Sequence, residues 1–296
     1  MQTRSRELIH ILKDWPTWPV LNAFTISDCD FIQLEQGLTN ENWLVTLPSS
    51  TPEQNNQYVI RINAKNAEAL NIHHQCELEI VQKVSKLNIC PDILFLEPSF
   101  KYWIRPYIKG LTLAELYANN LSDISEEIKS IAQTLKHTHS QTIQNHWPSV
   151  DTNQRNDFFW DQIIPNLSIH KQVILAIKDK LDAKLKNQCL PNKLCHMDTN
   201  IHNWIKNESG QLFLIDWEYS GLGNPIWDLA VFSDSAKLNT QQESELLNEY
   251  GEYSLQQLHI AKLQMHYLST LWYAVQQHIN EEELLNTLEK LSQQLI

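Results

Sequence analysis

The chain has 296 residues, 42% of them hydrophobic, and carries 23 Lys and Arg against 35 Asp and Glu for a formal charge of −12. That length allows a substantial core arranged as one large domain or two lobes. The acidic balance argues against a nucleic-acid partner, because phosphate backbones are held by clustered Lys and Arg, and it suits a cationic substrate.

Residues 1–18 mix Arg4, Arg6, Lys13 and Asp14 with isolated apolar residues, and so have neither the apolar run of a signal peptide nor a membrane span. Segments 31–36, 43–47, 58–63, 93–97 and 102–105 have strand composition, with one helical stretch near 67–87 among them. Residues 48–57 read as a solvated hairpin loop. After Gly110 helical periodicity takes over, across 112–141, 167–187 and 241 to the C-terminus, with a β-rich island at 203–217. Strands first and helices later predict an α+β fold with segregated lobes, 1–105 and 106–296, joined by an extended connector at 103–110. The five cysteines, at 29, 76, 90, 189 and 195, include no C-x-x-C pair. A disulfide framework and a structural zinc site are therefore disfavoured, and the expectation is a cytoplasmic protein, monomer or homodimer, without a membrane partner.

The strongest chemical signal is His196-Met197-Asp198-Thr199-Asn200-Ile201-His202-Asn203, followed by the apolar segment 212–215 and then Asp216. An Asp and an Asn five residues apart match a kinase catalytic loop, in which the Asp accepts the substrate hydroxyl's proton and the Asn offers an oxygen to Mg²⁺. A carboxylate at the end of a buried strand needs a cation, so Asp216 is the second expected metal ligand. In segment 58–62 the alternation puts Val59 and Arg61 on one face, where Arg61 is placed to bind phosphates and Val59 to contact the base. Glu77 shares a helical face with Val81 and Val84, which makes it the natural partner of Arg61. The turn carrying Gly37, Thr39 and Asn40 would lie over the phosphates. Backbone groups of Pro106, Tyr107 and Ile108 would hydrogen-bond the adenine of ATP. His73, His74, His137 and His139 lack the convergence of a zinc site and suit helix-surface or packing roles. Trp227 and Asp228 suit packing and capping of the helix after the site.

Together these residues resemble the choline/ethanolamine kinase branch of the aminoglycoside phosphotransferase-like superfamily, which has a protein-kinase-like fold with a small β-rich lobe and a larger helical one. The resemblance rests on Leu194 to Asp198 with Asn203, on the run Asp216-Trp217-Glu218-Tyr219, on Arg61 where protein kinases carry Lys, and on Glu77 ahead of Pro91. It implies an ATP- and Mg²⁺-dependent small-molecule kinase. It further implies that Glu218 shapes the metal and substrate site, and that Tyr219 and Trp272 wall an aromatic cage for a cationic head. Ser269 stands where the family often has a second Trp, and Leu258, Met265, Leu268, Trp272 and Val275 also recur as a core stripe would. The alcohol expected first is choline or ethanolamine, with thiamine next and aminoglycosides after it. A nucleotide-binding pseudokinase and a metal-dependent hydrolase are the readings from other classes.

Overall fold

The computed structural model describes residues 4–34, 39–48, 56–118, 124–187 and 192–295; Gly37 and most of the 48–57 segment lie outside them. The chain opens with α1 (Arg6–Ile11), capped by the Ser5 side chain accepting from Leu8 N, and runs through 3-10 turns at Leu12–Thr17, Leu21–Ala23 and Ile26–Asp28. There follow β1 (Asp30–Leu34), β2 (Glu41–Thr46), β3 (Gln57–Ile62), α2 (His74–Ser85), β4 (Phe95–Leu96) and β5 (Tyr102–Pro106). The five strands form an antiparallel sheet in the order β1-β2-β3-β5-β4.

Strand alternation sorts the side chains of this sheet into two faces. Trp43, Val45, Tyr58, Ile60, Tyr102 and Ile104 pack into one core with Leu8, Leu12, Trp15, Trp18 and Leu21. Within it Trp18 Nε1 donates to the Tyr102 hydroxyl at 3.0 Å, and that hydroxyl donates to Asp14 at 2.8 Å. The N-terminal turns thus cover one face of the sheet, a role no periodic pattern announces. The other face carries Asn42, Val59, Arg61, Trp103 and Arg105 toward the rest of the chain.

Helix α2 starts later than its composition suggests, because Glu68–Leu70 forms a 3-10 turn that ends at Asn71 in the left-handed region, φ 56°. Its buried side carries Glu77, Ile80, Val81 and Val84, as the periodicity predicts.

Beyond the connector come β6 (Gly110–Thr112), α3 (Leu113–Ala118), α4 (Ser125–His139), α5 (Thr152–Ile163) and α6 (Lys171–Leu185). The β-rich island supplies β7 (Lys193–Cys195), β8 (Trp204–Asn207), β9 (Leu212–Leu214) and β10 (Gly221–Gly223). Four helices finish the chain: α7 (Pro225–Ser235), α8 (Thr240–Tyr250), α9 (Leu255–Val275) and α10 (Glu281–Gln293). Strands pair as β6-β8-β9 and β10-β7. Gly110 is required where β6 meets β8, since a Cβ there would sit 2.3 Å from the Lys206 carbonyl oxygen. Helices α4, α5, α7 and α9 bury Ile131, Leu135, Phe159, Trp160, Trp227 and Leu271 in a second, larger core that also receives Val81 and Val84 of α2. Among the described residues no helix is long and apolar enough to cross a membrane.

Candidate active site

The uncovered face of the five-stranded sheet looks onto the β-rich island across a cavity of about 1150 Å³. Its wall includes Thr39, Asn40, Val59 and Arg61 from the sheet side, Tyr107 and Ile108 from the connector, and Asp198, Asn203, Asp216, Glu218, Tyr219 and Trp272 from beyond it. Glu77 stands behind Arg61 in a small adjoining recess, and Pro106 contributes a carbonyl rather than cavity wall.

Asp198 follows β7 in a loop whose backbone is fixed from below. Asp228, fully buried in α7, accepts from His196 N at 2.8 Å and Met197 N at 2.7 Å. His139 Nε2 lies 2.9 Å from the same carboxylate, and its Nδ1 lies 2.9 Å from the Tyr250 hydroxyl. The capping role expected of Asp228 belongs instead to Asn224, whose side chain accepts from Ile226 N. His139, Cys195 and Asp228 are metal-ligand types grouped within 4.8 Å, yet both His139 nitrogens are already hydrogen-bonded, so the group reads as a brace. His196 ties the loop to the next strand, with Nε2 donating to Ile215 O at 2.9 Å and Nδ1 accepting from Asp198 N at 3.2 Å.

The loop holds Met197 at φ 70° and Asp216 sits at φ 66°, backbone conformations that a side chain tolerates at a cost and that cluster where function needs them. The Asp198 carboxylate is aimed by two amides: Asn200 Nδ2 donates to Oδ1 at 2.7 Å and Asn203 Nδ2 to Oδ2 at 2.8 Å. Asn203 therefore spends its nitrogen on Asp198 and keeps Oδ1 as its ligand atom. Asn200 had no distinguishing signal in the sequence beyond its place between the two.

Arg61 is 2% exposed and is shared by three carboxylates. Nη1 donates to Glu77 at 2.5 Å and Asp216 at 3.1 Å, while Nη2 donates to Glu77 at 3.3 Å and Glu218 at 2.7 Å. The Arg61–Glu77 pair inferred from strand alternation and helix periodicity is thus present. Asn40 and Thr39, read from the sequence as phosphate donors, reach across the cavity. Asn40 Nδ2 donates to Glu218 at 2.6 Å, and Thr39 Oγ1 lies 3.5 Å from the Tyr219 hydroxyl.

At the far end Trp272 Nε1 donates to the Tyr219 hydroxyl at 3.0 Å, joining the two rings in one wall. Arg155 of α5 packs against it, its Cζ 6.0 Å from the Tyr219 ring centroid and its Nη2 donating to the Tyr219 carbonyl at 3.0 Å. Burial pulls this guanidinium down to about 10, so it stays cationic at neutral pH. Sequence reading missed Arg155, because α5 has little apolar periodicity; the Asp151 side chain, capping Asn153 N and Gln154 N, was the one helix signal available.

A family model described as the phosphotransferase enzyme family matches residues 30–265. The chain belongs to this phosphotransferase family. A LicA homolog of Metamycoplasma hominis is 27% identical over 216 residues, 72% of this chain and 82% of that protein. The choline kinase LicA of Streptococcus pneumoniae superposes with a TM-score of 0.75 at 21% identity, covering 98% of this chain and 99% of that one. A LicA structure in complex with AMP gives a TM-score of 0.71 at 20% identity, with 99% of each chain covered. The phosphotransferase shares the α+β, protein-kinase-like fold of these structures along nearly its whole length.

In this phosphotransferase the carboxylates around Arg61 outnumber the guanidinium that serves them. Burial raises the Asp216 carboxyl despite Arg61, and burial with repulsion from Asp216 pushes Glu218 up to about 8. Such an excess of buried negative charge, with Asn203 lining the same cavity, fits a hard divalent cation such as Mg²⁺. Because its folded value is raised while the unfolded side chain ionises near 4.5, stability falls as pH rises from about 4.5 to about 8, above which Glu218 is a buried, repelled anion in the folded chain. Glu218→Gln, a neutral mimic, should leave the melting temperature of the metal-free protein nearly unchanged at pH 4 and raise it at pH 9. Equal shifts at both pH values, read by scanning calorimetry, would refute the assignment.

Proposed function

We propose that this phosphotransferase moves the γ-phosphoryl group of MgATP onto the hydroxyl of a small cationic alcohol, choline first and ethanolamine next. The observation that carries this reading is the convergence, in one cavity, of an amide-oriented Asp198 with the Arg61 cluster on one side and the Tyr219–Trp272 wall on the other. Asp198 accepts the proton of the alcohol as its oxygen attacks Pγ and the bond from Pγ to the bridging oxygen breaks, releasing ADP. Arg61, braced by Glu77, binds phosphate oxygens, and Val59 with the connector backbone at 106–108 holds the base. Asn203 and Asp216, with Glu218, would hold Mg²⁺, which neutralises phosphate charge when bound. Tyr219 and Trp272 offer ring faces to a quaternary ammonium, which has no hydrogen to donate. The LicA likeness supports the choice of alcohol.

Measuring ADP release from MgATP with choline, ethanolamine, thiamine and aminoglycosides tests the proposal. Choline should give the highest kcat/KM; ADP release independent of every acceptor would sink it. Trp272→Ala should raise the KM for choline about 3- to 30-fold with kcat nearly kept, from a cation–π contribution of roughly 0.5–2 kcal/mol. An unmoved KM would place the cationic head elsewhere.

A further inference from the structure

One face of α9 lines the cavity with Met265, Leu268, Ser269 and Trp272, which stand at the i, i+3, i+4 and i+7 positions of a single helical stripe. Helix α7 brings Ala230 and Val231 to the same cavity. The catalytic loop lies along α7, since Thr199 Oγ1 donates to Asp228 O at 2.5 Å and Ile201 N donates to Ser235 Oγ at 3.2 Å. Ala230 and Val231 fall between those two anchors, on the part of α7 that carries Asp198's loop. An acceptor with its hydroxyl on Asp198 and its ammonium on the Tyr219–Trp272 wall therefore has an apolar stretch beside its head.

The aromatic wall covers only part of that head. Tyr219 is held from behind by Arg155, and the Trp272 ring is flanked by Tyr273 and His278, with centroids 5.1 Å and 6.0 Å away, so both rings are fixed in place. One turn before Trp272 stands Ser269, an exposed residue whose hydroxyl donates to His266 O at 3.0 Å. Its donor is turned back to its own helix, and what it leaves to the cavity is a small face. Beyond it Leu268 and Met265 continue the apolar floor for roughly 6 Å, the rise of four helical residues. The floor ends at the exposed His266 and Asp234. A longer alkyl group in place of one methyl of a trimethylammonium keeps the charge on the rings and removes apolar surface from water along this floor.

We propose that Ser269 opens the head pocket, and that the acceptor class extends from choline to cholines in which one N-methyl is replaced by a longer alkyl chain, running over Ser269 toward Met265. This rests on the kinase reading above and names the shape of its acceptor. A large side chain at position 269 would stand in the path of such a chain, whereas the serine leaves room for it.

The test is kcat/KM with MgATP for choline and for its analogues carrying one N-ethyl or one N-butyl group, in wild type and Ser269→Trp. In wild type the butyl compound should reach at least a third of the value for choline. Ser269→Trp should lower the butyl-to-choline ratio about 10- to 100-fold, the range that unaccommodated methylenes command in an apolar pocket. A wild-type ratio below one third overturns the assignment, and so does a ratio that the substitution lowers less than tenfold, which would mean that the chain leaves the pocket by another path. The wild-type series decides the matter alone if the variant does not fold. Turnover of choline without its longer analogues sinks only the open pocket, whereas no turnover with any alcohol sinks the kinase reading and this proposal together.

Discussion

Asp198→Asn should lower kcat by about 10³-fold while the dissociation constant for MgATP moves less than about threefold, because a positioned general base contributes roughly 10²–10⁴ and acts in the transition state. The geometry makes the substitution severe. Both Asp198 oxygens accept from amide nitrogens, Asn200 at 2.7 Å and Asn203 at 2.8 Å. An Asn in this place turns an NH₂ toward one of those donors and keeps only a neutral amide oxygen, too weakly basic to take the alcohol's proton. Calorimetry with nucleotide and steady-state rates with choline check both halves. Undiminished turnover would remove Asp198 from the chemistry, and a parallel loss of nucleotide binding would make it a structural residue. Asn200→Ala should do less, about 3- to 30-fold in kcat, since one oxygen stays oriented by Asn203.

The contrast between what could and could not be read from the residues follows from distance along the chain. Asp198, Asn203 and Asp216 lie within one loop-and-strand unit, so their spacing is a local fact, and the structure places them on one cavity wall. Arg61 and Glu77 needed only two periodicities, two for the strand and 3.6 for the helix, and they meet as a buried ion pair. The role of Asp228 as a brace escaped, because its partners His196 and Met197 lie some thirty residues back and only tertiary folding brings it beneath them. Arg105 sits on a segment recognised as a strand, but its face is set by pairing with β3, which composition does not reveal. The first turns of the chain escaped for another reason: Trp15 and Trp18 are held by 3-10 geometry and ring packing, 5.4 Å between centroids, and follow no regular period.

Asp228→Asn is the second large effect expected, and it separates the brace from the chemistry, since Asp228 does not line the cavity. Its Oδ2 accepts from His196 N and faces His139 Nε2, while Oδ1 accepts from Met197 N. An Asn keeps one acceptor oxygen. Whichever way the amide is turned, its NH₂ opposes a backbone N–H of the catalytic loop, and that N–H is buried and cannot turn away. His139 can adapt, because it can exchange tautomers and let Tyr250 reverse its hydroxyl; the peptide groups have no such freedom. Breaking a buried hydrogen-bonded charge in this way costs about 3–5 kcal/mol, which for a protein of this size lowers the melting temperature by roughly 6–15 °C. With Met197 already at φ 70°, the loop also loses what holds a costly backbone conformation. The kcat should therefore fall at least 10²-fold even at temperatures where the variant is fully folded, with the KM for nucleotide little changed. Thermal melts together with rates taken 20 °C below the variant's transition distinguish the outcomes: normal kcat in a destabilised protein would confine Asp228 to stability, and normal melting would show that the loop is held by other contacts.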